Sequence, residues 1–534
     1  MMLKRLLKYW PQVKKMSQFK LDDILSWLSS EFMPYDSKRR PCFKYNQEAG
    51  GVAFDDIVFN GLSTDSRSIK PGEIFLALRG EKFDGHAYLK QAAANGAAML
   101  IVQSDYEAFG EYLECHQEAI VLYKHELSIH KAIVGKPLDT RSKEPVIVAV
   151  DDTLLALQQI ANGYRMSLSG KVIAITGSVG KTSTREMISC CLASAGRVHQ
   201  TLANLNNEIG LPQTLLATPQ DADFIVLEMG MRGLGQIELL SRIALPDISV
   251  ITNIGWSHLE LLGTRENILK AKTEITAGMN ENGLIVLNFD DEMLRQWYKS
   301  SGCKIQSANY ATQRIYIDEP EISLHVEEIT VDTDKSSFSI VDDGVKLPAV
   351  INLPGLHHVS NAAAGLLVAK SLGLNLMSAV TAIANYRNTG KRQNIIRGRD
   401  ICIVDDTYNA APESMLTAIK TLAVMAGCAR KIAVLAGMLE LGSYSDNAHK
   451  QVGLALVEEG FKIACLFGEM SNKIADGISQ AQSSLEVYQF TDHSKLAEFL
   501  ISIIEPNDHI LVKGSRAYEM ERVTAVLEEW IKND

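Results

Sequence analysis

No Cys-x-x-Cys pair occurs in the 534 residues, which removes the usual signature of a zinc site. The eight cysteines stand apart from any such spacing, at 42, 115, 190, 191, 303, 402, 428 and 465. A chain of this length has no need of disulfide staples. They therefore read as free thiols in a reducing compartment. No run of 18 apolar residues occurs, so no membrane-spanning helix is expected. Positive charge is not in excess: 53 Lys and Arg against 64 Asp and Glu leave a net charge of -11. That balance argues against free nucleic acid or an anionic membrane as partner, although a local pocket can still take an anion. Internal repeats and low-complexity tracts are also missing. With 46% hydrophobic and 22% charged residues, the composition is that of folded globular protein. The first 20 residues carry six Lys or Arg and no acid, but their apolar runs are too short and interrupted for a signal peptide. Residues 1–17 read as a solvated basic extension.

At roughly 100–200 residues per domain, the length suggests about three domains. Three blocks separate on pattern, at 18–168, 169–390 and 391–534. In the first, a loop from Asp65 to Gly72 feeds a strand at Ile74–Leu78, a polar excursion occupies 104–144, Val146–Val150 reads as a strand and Thr153–Tyr164 as an amphipathic helix. In the second, apolar strands at Lys171–Thr176, Phe224–Glu228, Ser249–Asn253 and Gly283–Leu287 alternate with helical stretches, which argues for a parallel sheet covered on both faces. Residues 314–350 break that rhythm with alternation such as Arg314-Ile315-Tyr316-Ile317, the mark of antiparallel hairpins. From about 398 the strand–helix rhythm returns, with strands at Ile401–Val404, Ile432–Leu435, Ile463–Phe467 and Ile510–Val512, as in a Rossmann-like domain. The expected class is α/β in three domains: a mixed α/β domain, a central domain with a mainly parallel sheet, and a C-terminal Rossmann-like domain.

The strongest local signal is Thr176-Gly177-Ser178-Val179-Gly180-Lys181-Thr182-Ser183, set between a strand and a helix. Glycines let backbone N–H groups converge on phosphate oxygens, and the helix N-terminus favours the anion. Lys181 would neutralise the transferring phosphate and Thr182 would hold magnesium. The usual first glycine of such a loop is here Ile175, so the loop is a variant. A phosphate loop does not by itself choose between kinase, GTPase, motor and ligase. Glu228, ending a strand, is placed where carboxylates serve magnesium, but taken singly it is as readily structural. His258 after another strand and Lys272 on a helix are, taken singly, more readily structural or solvated than functional.

Together these segments resemble the Mur ligase family of ATP-dependent amide-forming enzymes. The loop at 176–183, Glu228-Met229-Gly230, Thr252-Asn253-Ile254-Gly255-Trp256-Ser257-His258 and Ala271-Lys272-Thr273-Glu274 occur in the family's order. The resemblance runs from about residue 19 to the C-terminus. Within the family it is similar to the members that add a dipeptide. The segments responsible are 63–67, 71–80, 83–86, 204–212, 405–414, 437–442 and 512–516. The resemblance implies a first domain for the UDP end of the substrate, a central domain for ATP and a last domain that binds the amino component and closes over the site. It also implies the reaction. The peptide carboxylate of UDP-N-acetylmuramoyl-tripeptide takes the γ-phosphoryl group of ATP. The amine of D-Ala-D-Ala then displaces phosphate from the acyl phosphate through a tetrahedral intermediate.

By the same resemblance, Lys181 contacts the phosphates with Gly177, Ser178, Val179, Gly180, Thr182 and Ser183. Thr182 and Glu228 hold a first magnesium, and His258 and Lys272 serve a second, with Lys272 carbamylated by carbon dioxide. Asn361 contacts adenine, Arg392 the phosphates and Asp406 the ribose. Tyr408 and Asn409 help form the nucleotide or dipeptide pocket. Ser66 and Arg67 face the UDP end, and Asn206, Asn207 and Thr214 belong to a substrate-facing segment. A cytoplasmic monomer that acts in peptidoglycan synthesis, with no nucleic-acid partner, is implied as well. Three positions depart from the family: Lys391 stands before Arg392 in place of glycine, His357-His358 replace His-Asn, and Ala436-Gly437 replace Gly-Asp. A family member adding the third amino acid would carry Asp-Asn-Pro in its last domain, and none occurs here. A folylpolyglutamate-synthase-like enzyme, or a nucleotide switch outside enzyme chemistry, are the other readings.

Overall fold

The computed structural model describes residues 17–29, 58–81, 83–105, 121–125, 128–132, 145–300, 305–313, 322–342, 344–388 and 390–532. The basic stretch 1–16 and Arg314–Ile317 lie outside these residues. The architecture is α/β, built on three larger sheets and a short antiparallel pair, Phe19–Lys20 with Val58–Phe59. The first sheet runs, in spatial order, Leu62–Ser63, Ile74–Leu76, Met99–Gln103, Val146–Val150, Val121–His125, Ser128–Ala132. The last two strands form an antiparallel hairpin docked in parallel on Val146–Val150. Part of what the sequence suggests is a polar excursion is therefore sheet, at an edge where backbone pairing suffices and an apolar run is not required.

Five elements of the central sheet position the site. They are β1 (Lys171–Thr176), α1 (Lys181–Leu192), β2 (Phe224–Glu228), β3 (Ile248–Ile251) and the helix α2 (Arg265–Thr273). β1 lies between β2 and β3, all parallel, so the loops following them emerge at one edge. This is where ligands bind in open α/β sheets. The alternating apolar residues of β1 explain its place. Val172 and Ala174 face one core with the helices Thr153–Ser167 and Gln236–Ala244, while Ile173 and Ile175 face the other with α1 and α3 (Leu356–Ser371). The sheet continues through Leu284–Asn288 and Gln306–Ala311 into Ile322–Val331, Ser336–Asp342 and Val345–Ile351, whose last two pairings are antiparallel. The hairpins extend the parallel sheet at its far edge and are not a separate unit.

The helix Thr153–Ser167 belongs to the chain ahead of this sheet but lies against it. Its Tyr164 hydroxyl donates to Thr218 O at 2.7 Å, and Arg165 pairs with Asp247 at 3.2 Å. Gly163 is required there, because a Cβ would sit 2.2 Å from the Trp27 ring.

The third sheet comprises Asn394–Gly398, β4 (Ile401–Asp406), β5 (His509–Lys513), Lys431–Ala436, Ile463–Phe467 and Glu486–Phe490, in that spatial order. All pairings are parallel except the first. The helix α4 (Pro412–Ala426) covers one face. Asn394–Gly398 and Glu486–Phe490 are edge strands with partly or fully exposed side chains, which is why no buried apolar run announces them. Among the described residues no helix is long and apolar enough to cross a membrane. The described cysteines, at 190, 191, 402, 428 and 465, are free thiols.

Candidate active site

The loop between β1 and α1 is held open by its glycines. Gly177 has φ 152°, and a Cβ there would fall 1.8 Å from Thr252 Oγ1. Gly180, at φ 82°, caps α1 in the left-handed region. Asn253, just past β3, braces the loop: its Oδ1 accepts from Val179 N at 3.0 Å and its Nδ2 donates to Val179 O at 3.0 Å. Ser178 Oγ accepts from Gly255 N at 2.8 Å. Lys181 folds back, donating to Gly177 O at 2.7 Å and Ser178 O at 3.3 Å. Burial lowers its pKa, Glu228 opposes that shift and Arg392 adds to it. Thr184 Oγ1 donates to Asn361 Oδ1 at 3.0 Å, which ties α3 to the base of the loop. Ser183 follows Thr182 in the first turn of α1.

Glu228 gathers three side-chain donors from two segments, α1 and the loop that carries Asn206. Its Oε2 accepts from Thr182 Oγ1 at 2.8 Å and lies 3.4 Å from Arg185 NH1, and its Oε1 accepts from Asn206 Nδ2 at 2.8 Å. Asn206 thus joins the loop. Asn207 and Thr214 do not: Asn207 Oδ1 accepts from Gly210 N at 2.9 Å as a local cap, and Thr214 Oγ1 donates to Gly210 O at 2.9 Å.

Lys272 lies on α2 with 1% of its surface exposed. Among the described residues its amine has no hydrogen-bonding or ion-pairing partner. Burial holds its pKa well below that of an ordinary lysine, Lys181 lowers it further, and Glu413 opposes both. Glu413, at the start of α4, reaches across from the third sheet's unit: its Oε1 accepts from Trp256 N at 2.8 Å. Its Oε2 is buried without a partner among the described residues, and burial raises its pKa. His258 follows β3 and sits 2.6 Å, through Nδ1, from Glu440 Oε2. Burial and the charge of Lys181 lower its pKa.

Past β4 a second cluster forms. The Arg392 guanidinium lies 3.9 Å from the centre of the Tyr408 ring, a cation–π stack. Asp406, ending β4, accepts from the Lys513 amine at 2.6 Å, and Lys513 also donates to Asn409 O at 2.9 Å. Asp406 Oδ1 accepts from Gln393 N at 3.2 Å. The substituted pair His357 and His358 both turn Nε2 to Gln393 Oε1, each at 2.9 Å. Burial pushes the His357 pKa down to about 4.

The first sheet's unit carries a separate cavity of about 450 Å³ lined by Thr64, Asp65, Ser66, Arg67, Phe75, Phe83, Tyr88 and Gln91. Ser66 Oγ donates to Gln91 Oε1 at 3.0 Å. Arg67 pairs with Asp65 at 2.8 Å and is largely exposed, free to turn onto an anion. Phe83 and Tyr88 stack at 5.6 Å and present exposed faces. Gln213 Nε2 donates to Thr64 Oγ1 at 2.7 Å, which links this cavity to the central sheet.

Sequence reasoning missed Lys513, Gln393, Glu413 and Glu440. Lys513, Glu413 and Glu440 each belong to segments that resemble the family, but a charged residue in a strand end, a helix start or a loop carries no local sign of its partner. Among the described residues no three His, Cys, Asp or Glu side chains converge as a metal-binding group.

Three family models match the chain: "Mur ligase family, catalytic domain" over residues 58–165, "Mur ligase middle domain" over 175–369, and "Mur ligase, glutamate ligase domain" over 391–516. The chain belongs to the Mur ligase family. Among curated relatives it is 32% identical to the UDP-N-acetylmuramoyl-tripeptide–D-alanyl-D-alanine ligase of Bacillus subtilis, covering 89% of this chain and 94% of that one. It is 31% identical to the enzyme of the same name from Escherichia coli, over 89% and 95%. Among solved structures it is similar to MurF of Acinetobacter baumannii, with TM-score 0.75 and 28% identity over 89% and 94% of the two chains. MurF ligase of Thermotoga maritima, solved in complex with ADP, matches with TM-score 0.72 and 26% identity over 88% and 98%.

Proposed function

We propose that the chain is an ATP-dependent, ADP-forming amide ligase that joins D-alanyl-D-alanine to the tripeptide carboxylate of UDP-N-acetylmuramoyl-tripeptide, a step of peptidoglycan synthesis. The substrates follow from the relatives sharing about nine-tenths of the chain's length. One observation carries the chemistry: Lys272, buried and with no hydrogen-bonding or ion-pairing partner among the described residues, lies where it feels the charge of the phosphate-loop lysine. A nucleotide switch has no evident use for such a residue. A ligase does, because a carboxylate must approach a triphosphate and cations must offset two anions.

The residues fit magnesium. Thr182 and Glu228 offer oxygens side by side for a first ion, and the nucleotide's own oxygens would complete it, as is usual for this cation. His258 Nε2 has no partner among the described residues, and a neutral Lys272 amine is the form that takes up carbon dioxide to become a carboxylate-like ligand for a second ion. When bound, the ions supply positive charge between carboxylate and phosphate. Lys181 exchanges its loop carbonyls for the γ-phosphate oxygens. Asn361 meets the base, Arg392 the phosphates and Asp406 the ribose. Ser66, Arg67 and the Phe83–Tyr88 face hold the UDP end, and Tyr408 and Asn409 line the dipeptide side. A tripeptide carboxylate oxygen attacks the γ-phosphorus and ADP leaves. The dipeptide amine then attacks the acyl carbon, and phosphate leaves as the amide forms. Docking of the third unit excludes water that would otherwise hydrolyse the acyl phosphate. In this reading the domains are 18–168 for the UDP end, 169–390 for ATP and 391–534 for ligation, in a cytoplasmic monomer.

The test is phosphate release from ATP and magnesium with UDP-N-acetylmuramoyl-tripeptide, with and without D-Ala-D-Ala. Release that needs both, with the pentapeptide product seen by mass, is expected. Release independent of the dipeptide, or none with either the diaminopimelate or the lysine tripeptide, would overturn the assignment.

A further inference from the structure

One contact in the site spans 182 positions of sequence and joins two units of the fold: His258 Nδ1 to Glu440 Oε2, 2.6 Å. Glu440 comes from the loop after the strand Lys431–Ala436, on the far side of the seam from β3. Both partners adopt left-handed backbone, His258 at φ 64° and Glu440 at φ 62°. A non-glycine residue keeps that conformation only where its surroundings over-determine it, and such positions cluster where geometry matters to function. The surroundings here are specific. Glu260 N donates to Glu440 O at 3.1 Å, and a Cβ on Gly442 would sit 3.2 Å from the Glu260 Cα, so backbone meets backbone. Beside it Trp256 stacks on Tyr444, ring centres 4.1 Å apart and planes 15° from parallel, and Trp256 N donates to Glu413.

A carboxylate at Nδ1 selects the tautomer that carries its proton there. The other ring nitrogen, Nε2, then keeps its lone pair, and it has no protein partner among the described residues. Histidines that bind metals are oriented and made more basic by such a partner. We propose that Glu440 is a positioning residue for His258, fixing the ring and its tautomer, so that the second-metal site is complete only when the C-terminal unit is docked. This rests on the reading of His258 as a metal ligand. It ties the docking of the domain that receives the incoming amine to the assembly of the cation site that activates the acid. A carboxylate supplied across the seam thereby withholds the full site until both halves are in place.

The test is a manganese titration followed by electron paramagnetic resonance, on full-length protein with adenylyl imidodiphosphate and bicarbonate. Wild type is expected to bind two Mn²⁺. Glu440→Ala is expected to weaken one of them about 10–100-fold and leave the other unchanged, which also reports that the protein is folded. Glu440→Gln, whose amide oxygen still accepts from Nδ1, is expected to recover most of that loss. His258→Ala should lose the same ion. If His258→Ala loses one ion while Glu440→Ala binds both as wild type does, the positioning role is overturned and the ligand reading stands. Equal weakening of both ions, or a Glu440→Gln variant as weak as Glu440→Ala, overturns it too. Two intact ions in His258→Ala, or only one ion in wild type, overturns the ligand reading itself.

Discussion

Replacing Lys272 by methionine separates stability from activity. The methionine side chain keeps nearly the volume of the lysine stem and removes the amine of a residue that is 1% exposed overall, an amine with no partner among the described residues. An unbonded buried polar group costs about 1–3 kcal/mol, so the variant should be more stable than unmodified enzyme by about that amount. For a domain of about 200 residues this is roughly 2–4 °C in Tm per kcal/mol. Turnover should nevertheless fall by at least about 10²-fold, the usual loss when one charge-stabilising group leaves an active site. Three measurements make the case. Differential scanning calorimetry in bicarbonate-free buffer reads the rise in Tm. Coupled phosphate release reads the loss of rate. Added bicarbonate should raise the Tm of wild type, because whatever binds only the folded state stabilises it, and should leave Lys272→Met unmoved. Lys272→Ala, which opens a space of the right size, should regain activity with acetate or another short carboxylate. A Lys272→Met enzyme that turns over like wild type, or a Lys272→Ala enzyme active without rescue, would refute the carbamate role.

Lys181→Ala should abolish turnover while leaving circular dichroism and Tm near wild type; retained rates would remove the phosphate-loop assignment. Asp406→Asn strands the buried Lys513 ammonium and should cost about 3–5 kcal/mol. The double variant Asp406→Asn/Lys513→Met should recover that stability but not ATP affinity, and recovery of both by calorimetry would exclude Asp406 from ribose binding. His199 is buried with its pKa lowered to about 4 from 6.5. Because the unfolded chain takes up the proton first, stability should fall as pH drops from about 6.5 to about 4, by about 3 kcal/mol at 1.36 kcal/mol per unit. The dependence of Tm on pH should be shallower in His199→Leu across that window, and an unchanged slope would refute this.

The buried parallel strands were open to reading because burial on both faces writes a continuous apolar run: β1, β2 and Ile463–Phe467 coincide with the expected spans. Strands supported by backbone pairing at edges, such as Glu486–Phe490, write no such run. The phosphate loop was legible because its residues are contiguous. Thr182 and Glu228, 46 positions apart, meet as the strand–loop–helix order implies. Contacts across the seam between units were not legible. Nothing near Glu413 or Glu440 in the chain reveals Trp256 or His258, since those pairs exist only after two separately folded units dock. Gln393 escaped for the same reason, its partners His357 and His358 being on α3.

The backward fold of Lys181 onto the carbonyls of Gly177 and Ser178 has a kinetic meaning. In the mechanism proposed above, ATP does not gain a free cation on arrival; it competes with two bonds already made, so the net contribution of this lysine to ground-state affinity is small. As negative charge shifts onto the leaving ADP oxygen and the transferring group, the loop carbonyls offer nothing comparable, and the exchange turns in favour of phosphate. The lysine therefore acts on the barrier more than on occupancy. An enzyme stripped of it should still load ATP at close to the usual concentration and then wait.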